Sequence, residues 1–318
     1  MTHSPQRAVV FAYHSVGVRA LSVLLSLGVD VRLVVSHEDD PNENRWFDSV
    51  SELAGSAGIP CITPVDPNLP AIVEQVRACS PNWIFSFYYR RLLNSELLAI
   101  PTRGAYNLHG SLLPRYRGRV PVNWAVLHGE RETGMSLHRM VEKPDAGALV
   151  GQERVAILPN DTAYVVFQKL ICTGEALLLR VMPAMLAGEH AETPLDLAAG
   201  CYFGGRRPED GRIDWSKSAW EIHNLIRAVA PPYPGAFTEV AGRRVEILGS
   251  WYAGEPARGQ GPRLYWEGDA CYADCQDGRR TRFTRLVCDG KELSRHASIS
   301  CFGSDTLLTP LSGTHTGI

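Results

Sequence analysis

The stretch Ala8–Val35, AVVFAYHSVGVRALSVLLSLGVDVRLVV, decides the fold. Ala8–Tyr13 is a short apolar run suited to a buried strand. Val16, Ala20, Leu24 and Leu27 then recur at helical spacing until Gly28 stops the helix, and Val29–Val35 returns to a strand. A strand, a helix and a second strand in this order imply a right-handed crossover between parallel strands. The pattern continues outward: Arg45–Gly58 reads as a helix, Ile59–Thr63 as a short strand, Pro70–Cys79 as a helix, and Trp83–Phe87 (WIFSF) as another buried strand. Fully apolar strands alternating with helices predict a parallel sheet covered on both faces.

Met135–Met140 and Leu149–Ile157 read as two further strands, and Asp161–Ala187 as a long helix. Gly188–Gly205 is rich in small and turn residues and marks the main boundary. Beyond it come a helix over Trp215–Val229, a Pro-rich turn at Pro231–Pro234, and short alternating runs at Ala236–Val240, Arg244–Ser250, Arg263–Trp266 and Thr281–Val287. The expected architecture is α/β. A Rossmann-like, mostly parallel sheet domain over residues 1–203 precedes a smaller β-rich, OB-like domain over 204–318.

A chain of 318 residues suits two domains, and 45% hydrophobic with 21% charged residues is a globular composition. Its net charge of −2 gives no global field for nucleic acid or anionic lipid, and the loop Ser36–Asn44 (SHEDDPNEN) is acidic. The apolar stretch Val16–Val35 is broken by Arg19, Asp30 and Arg32, which argues against a membrane span. The opening residues MTHSPQRAVVF lack the regions of a secretory signal, so the eight cysteines read as reduced thiols in a cytoplasmic protein. Cys271 and Cys275 are four apart without a second ligand pair, so no metal is expected. The turn AYHSVGVRAL lacks G-x-G-x-x-G, and no G-x-x-x-x-G-K-[ST] occurs, which disfavours the usual modes of nucleotide-phosphate binding.

Ala105–Gly118, AYNLHGSLLPRYRG, is the densest polar constellation. Asn107 and His109 are two apart at a strand end and share one face, while Leu108 points to the other. An amide that stabilises a developing oxyanion, beside an imidazole that exchanges a proton near neutral pH, suits acyl transfer. The bland alternative is that both side chains satisfy loop backbone. Asp145, in the turn Glu142–Ala148 (EKPDAGA), is the carboxylate able to orient the imidazole, although Asp in a turn also serves as a backbone cap.

Asn107–Gly118 (NLHGSLLPRYRG) followed by Asp145-Ala146-Gly147 resembles the signature of the 10-formyltetrahydrofolate-dependent formyltransferases. Val10–His14, Phe85–Arg90, Asn123-Trp124, Leu137–Val141, Asp145–Ala148, Arg206–Pro208, Arg227–Val229 and Pro232–Phe237 extend the likeness over about residues 8–240. Within the family they resemble the formyltransferase domains of bifunctional polymyxin-resistance proteins. The likeness fades beyond residue 240, with no convincing match from Trp251 to Ile318.

The resemblance implies a catalytic triad of Asn107, His109 and Asp145, with Asp145 raising the histidine pKa to favour the imidazolium. It implies 10-formyltetrahydrofolate as formyl donor, with no metal, and a folate site lined by Arg91, Leu92, Leu93, Arg119, Val141, Glu142, Lys143, Pro144 and Asp145. The acceptor it implies is a sugar nucleotide, UDP-4-amino-4-deoxy-L-arabinose, in lipid A modification and antibiotic resistance. Methionyl-tRNA, another amino sugar or a small amine is the alternative acceptor, and a non-catalytic folate or nucleotide binder is the alternative of a different class. Sugar formyltransferases are often dimers, so a homodimer is the expected assembly. Tyr233 is a candidate acceptor contact; His14 and His138 read more readily as a turn cap and a satisfied structural histidine.

Overall fold

The computed structural model describes residues 6–39 and 46–309. The opening residues 1–5, most of the acidic loop, and Arg45, where the second helix was expected to start, lie outside the described residues. The elements run β1 (Arg7–Ala12), α1 (His14–Ser26), β2 (Asp30–Val35), α2 (Val50–Ser56), β3 (Cys61–Ile62), α3 (Pro70–Ala78), β4 (Trp83–Phe87), α4 (Ser95–Leu98), β5 (Gly104–His109), β6 (Arg117–Gly118), α5 (Pro121–Leu127), β7 (Glu132–Arg139), β8 (Leu149–Ala156), α6 (Ala163–Ala187) and β9 (Tyr202–Phe203). They continue with α7 (Ala219–Val229), β10 (Ala236–Val240), β11 (Arg243–Trp251), β12 (Arg263–Glu267), β13 (Ala270–Asp274), β14 (Arg280–Cys288), β15 (Lys291–Glu292), α8 (Arg295–Phe302) and β16 (Asp305–Leu307).

The chain divides into two compact units. One comprises Met1–Pro121, Glu132–Val155 and Phe167–Gly204; the other comprises Val122–Arg131, Ala156–Val166 and Gly205–Ile318. The first holds a sheet of order β3-β2-β1-β4-β5-β7-β8. From β3 to β5 neighbouring strands run parallel, as the alternation of strands and helices requires, and β7 is antiparallel to β5. The first and second strands lie where the hydrophobic pattern places them. The second helix starts only at Val50, because the Ser49 side chain accepts from the Glu52 N–H and caps it there. β3 shrinks to two residues, since Pro60 has no N–H to give the ladder.

β2 and β4 flank β1 on opposite sides, so strand order reverses there. Ligands of open α/β sheets bind beyond the carboxyl ends of strands at such a reversal. Ala12 pairs with Phe87, and Phe87 with Leu108, so His14, Tyr88 and His109 emerge beyond one lip of the sheet.

Val9, Phe11, Leu33, Val35, Ile84 and Ala105 form a core with Val73 and Val76 of α3. On β4, Phe85 lies between the rings of Trp83 and Phe87, with centroids at 6.1 and 5.6 Å. The 16–35 stretch is not one helix but most of α1 followed by β2, and the long apolar helix is α6. By length and composition alone it is the one described helix that passes as a membrane span, with mean hydropathy 1.6. Its Val166, Phe167, Leu170, Leu177, Leu178, Met182 and Met185 are buried, and Gly174 lies against Met135 of β7 and Leu108 of β5, as in a core helix.

The second unit holds an antiparallel sheet of order β10-β11-β14-β13-β12-β16, with β15 on β14, curved as a half-barrel. A Ser218–Glu221 capping box starts α7, whose Ile222, Ile226 and Val229 pack against Val245, Ile247 and Phe283. Arg227 is buried on the same helix with the side chain of Asn224 and the carbonyl of Asp161 as acceptors. Burial lowers its pKa to about 10.

Phe85 is fully buried in the middle of the sheet. Phe85→Ala is expected to cost about 3–5 kcal/mol of stability, whereas Val65→Ala, 84% exposed, stays within about 0.5 kcal/mol. Urea denaturation of the two variants checks the contrast.

Candidate active site

β5 ends in Asn107 and His109, whose strand partners on β7 are His138 and Ser136. Alternation along β5 puts Asn107 and His109 on one face, and the antiparallel register sets the His138 side chain directly opposite Asn107. Asn107 Nδ2 lies 3.1 Å from His138 Nε2, while His138 Nδ1 donates to the Arg139 carbonyl at 2.8 Å.

The loop after β5 folds back over the strand end. Ser136 Oγ donates to the Ser111 carbonyl at 2.5 Å and accepts from Leu113 N–H at 3.1 Å; Gln152 Nε2 donates to the Leu113 carbonyl at 2.7 Å. Farther along, the N–H groups of Arg117 and Arg119 donate to the carbonyls of Cys201 and Phe203, and the Tyr116 ring stacks on Phe203. Tyr116 (φ 55°) and Val120 (φ 47°) are left-handed, a region that costs a β-branched residue most. Gly118 is required where it stands: at φ +97° an added Cβ would strike the Phe203 carbonyl.

That loop presents two backbone groups to the polar side chains. His109 Nε2 donates to the Tyr116 carbonyl at 2.8 Å, and Gly118 N–H donates to Asp145 Oδ2 at 2.9 Å. Asp145 Oδ1 stands 3.5 Å from both His109 Nδ1 and His138 Nε2. Asp145 is itself left-handed, at φ 54°, which Asp tolerates. Gly147 completes the turn because a side chain there would meet the Arg139 carbonyl.

Burial works against ionisation of Asp145, but the two imidazoles and the Gly118 N–H outweigh it and hold the carboxyl well below the usual carboxylate range. His109 is 7% exposed, and burial pushes its pKa down against the opposing pull of Asp145 and the Tyr116 carbonyl. Asp145 does pull the histidine pKa up, as the resemblance implies, but desolvation is the larger effect and the net direction is down. With Nε2 donating to a carbonyl, the neutral ring keeps its Nδ1 lone pair on the Asp145 side. The arrangement supplies an amide donor, a proton acceptor, and a carboxylate that stabilises the acceptor once it is charged.

The other expected residues are placed unequally. Leu92 is 70% exposed and Val141 42%, apolar side chains left open to solvent. Arg91, Arg119, Glu142 and Lys143 are exposed, and Pro144 is half-buried next to Asp145. Leu93 instead packs against the core of the first unit. Tyr233 lies in the second unit, where its hydroxyl bonds Asn123 and burial pushes its pKa up to about 12. His14 is buried, stacked on Phe47 at 3.9 Å and edge-on to Trp46 and Phe167, with Nδ1 accepting from Ser15 N–H. Burial first, and the Arg90 charge second, lower its pKa to about 3. Among the described residues no cluster of three or more His, Cys, Asp or Glu could hold a metal ion.

Sequence reasoning set His138 aside as a structural histidine, and missed the backbone groups of Tyr116 and Gly118. Arg117, between those two, is also buried, and its Nε has no hydrogen-bond partner.

A family model described as formyl transferase matches residues 18–182, and one described as formyl transferase, C-terminal domain, matches residues 206–291. Among solved structures, an N-formyltransferase from Helicobacter canadensis in complex with folinic acid and dTDP-3-aminofucose is similar at 20% identity and TM-score 0.71, over 88% of this chain and 99% of that one. WlaRD, a sugar 3N-formyl transferase solved in the presence of dTDP and 5-N-formyl-THF, is similar at 20% identity and TM-score 0.72, over 91% and 100%. A sugar N-formyltransferase from Shewanella sp FDAARGOS_354 is similar at 18% identity and TM-score 0.61, over 77% and 97%. At these identities the likeness is one of fold.

In the folded chain His14 and His109 take up their protons at lower pH than in the unfolded chain, where they do so around their ordinary 6.5; Asp145 stays ionised until well below its ordinary 3.8. In each case the unfolded state binds more protons as pH falls, so acid removes stability, first through the histidines and then through the carboxyl. The urea midpoint is expected to drop steadily from about pH 6.5 towards pH 4. His14→Asn, which keeps a residue tolerant of the left-handed backbone, should flatten the upper part of that decline; an unchanged slope contradicts the assignment.

Proposed function

The chain belongs to the formyl transferase family, and we propose that it carries the formyl group of 10-formyltetrahydrofolate to the 4-amine of a sugar nucleotide, UDP-4-amino-4-deoxy-L-arabinose. The observation that carries the reading is the convergence of Asn107, His109 and Asp145 at the carboxyl end of β5. The acceptor amine attacks the formyl carbon, and an Asn107 N–H meets the oxygen as it becomes an oxyanion. His109 takes the proton that the amine loses, and the resulting imidazolium lies between the Tyr116 carbonyl and the Asp145 carboxylate. The C–N bond to the folate then breaks, the proton passes to the folate nitrogen, and the products are a formamide and tetrahydrofolate.

Leu92 and Val141 suit the flanks of the folate ring system, with Arg91, Leu93, Arg119 and the Glu142–Asp145 turn around them. Apolar walls with a few polar groups are usual for such ligands. The nucleotide-sugar acceptor is supported by the dTDP-3-aminofucose bound to the Helicobacter canadensis enzyme and by the sequence likeness over residues 8–240. The buried Arg117, whose Nε is unpaired, suits an acceptor that brings negative charge. In this reading residues 1–203 do the chemistry, 204–318 form the smaller domain, Tyr233 contacts the acceptor, and the enzyme works in the cytoplasm as a homodimer.

The test is a mass-spectrometric transfer assay with 10-formyltetrahydrofolate and parallel acceptors: UDP-4-amino-4-deoxy-L-arabinose, dTDP-amino sugars and charged initiator methionyl-tRNA. A gain of one formyl group on the UDP sugar alone is expected. Transfer only to another amine overturns the acceptor, and transfer to none overturns the reaction. Asn107→Ala and His109→Ala should each lower kcat about 10²–10³-fold. Leu92→Asp should raise KM for the folate with kcat nearly unchanged.

A further inference from the structure

We propose that His138 is a positioning residue that fixes which way the Asn107 carboxamide faces. The inference rests on the reading of Asn107 as the oxyanion donor. His138 is 1% exposed, and its Nδ1 is committed as a donor because its partner, the Arg139 carbonyl, can only accept. In the neutral ring Nε2 is then a lone pair with no proton to offer. Asn107 faces that lone pair at 3.1 Å, and only its amino end can bond there. The carbonyl end would set oxygen against nitrogen, lone pair to lone pair.

A carboxamide has two N–H groups. Once His138 takes one, the amide plane is set and the second N–H is directed to a defined point. Without that acceptor the side chain is free to turn about its last bond. Half of its orientations then present Oδ1, which repels a developing oxyanion instead of stabilising it. His138 therefore acts on the reaction through Asn107, without touching the reacting atoms.

A double-mutant cycle with a conservative rescue tests this. His138→Leu keeps bulk and removes the acceptor; His138→Gln keeps an acceptor oxygen. In the otherwise unchanged enzyme, His138→Leu should lower kcat roughly 10- to 100-fold, leave KM for folate and acceptor within about twofold, and leave the melting temperature near that of His138→Gln. His138→Gln should recover most of the lost kcat. In an Asn107→Ala background, His138→Leu should cost less than about twofold, since its route to the chemistry is already cut. An equal loss in both backgrounds overturns the positioning role and leaves Asn107 as oxyanion donor. If Asn107→Ala alone leaves kcat unchanged, the reading of Asn107 falls and this inference with it.

Discussion

A charged carboxylate kept almost out of water needs partners on every side, and Asp145 draws them from three separate parts of the chain. The Gly118 N–H comes from the loop after β5, His109 from the strand before that loop, and His138 from the antiparallel neighbour. Of the three, the Gly118 N–H donates to the carboxylate outright, and each imidazole compensates the charge once it carries a proton. The order of this end of the first unit follows from this need. The loop must turn back so that Tyr116 and Gly118 face inward, Gly118 and Gly147 must lack side chains, and β7 must run antiparallel for His138 to arrive opposite Asn107.

The same carboxylate explains why the buried imidazole is useful. Burial shifts His109 towards its neutral form, which in the proposed reaction is the form that accepts a proton. When it does, the charge forms next to a negative group that was in place beforehand, and no solvent has to rearrange to receive it. Neutral readiness and charged stability come from two different surroundings of one ring.

Much of this was legible in the sequence. The apolar runs at Ala8–Tyr13 and Trp83–Phe87 and the spacing within Val16–Leu27 set the parallel sheet, because buried strands and amphipathic helices leave different periods in the chain. Asn107, His109 and Asp145 stood out as candidates through residue type, spacing and turn chemistry, and their grouping as a triad rested on the family resemblance. What escaped has a common cause. His138 looked like a core histidine because its role depends on strand register, a relation between distant residues that no local pattern records. The backbone contributions of Tyr116 and Gly118 have no side-chain signature at all. Leu93 and Leu92 are adjacent and chemically identical, yet one packs in the core and the other meets solvent.

The reach of the anchors on the loop after β5 also sets an order on synthesis. β1 pairs with β2 and β4, so most of the parallel sheet can assemble once Phe87 has left the ribosome, and β5 can join soon after. The loop after β5 is different: its Arg117 and Arg119 N–H groups wait for the carbonyls of Cys201 and Phe203, and Tyr116 N–H meets Cys201 Sγ across 85 residues of chain. Domains fold as units during synthesis, and distant pairings close last. A nascent chain stalled before residue 200 thus carries a formed sheet and a loop held by Ser136, Gln152 and Asp145 but still without its Cys201 and Phe203 anchors, a scaffold that is folded before its last contacts close.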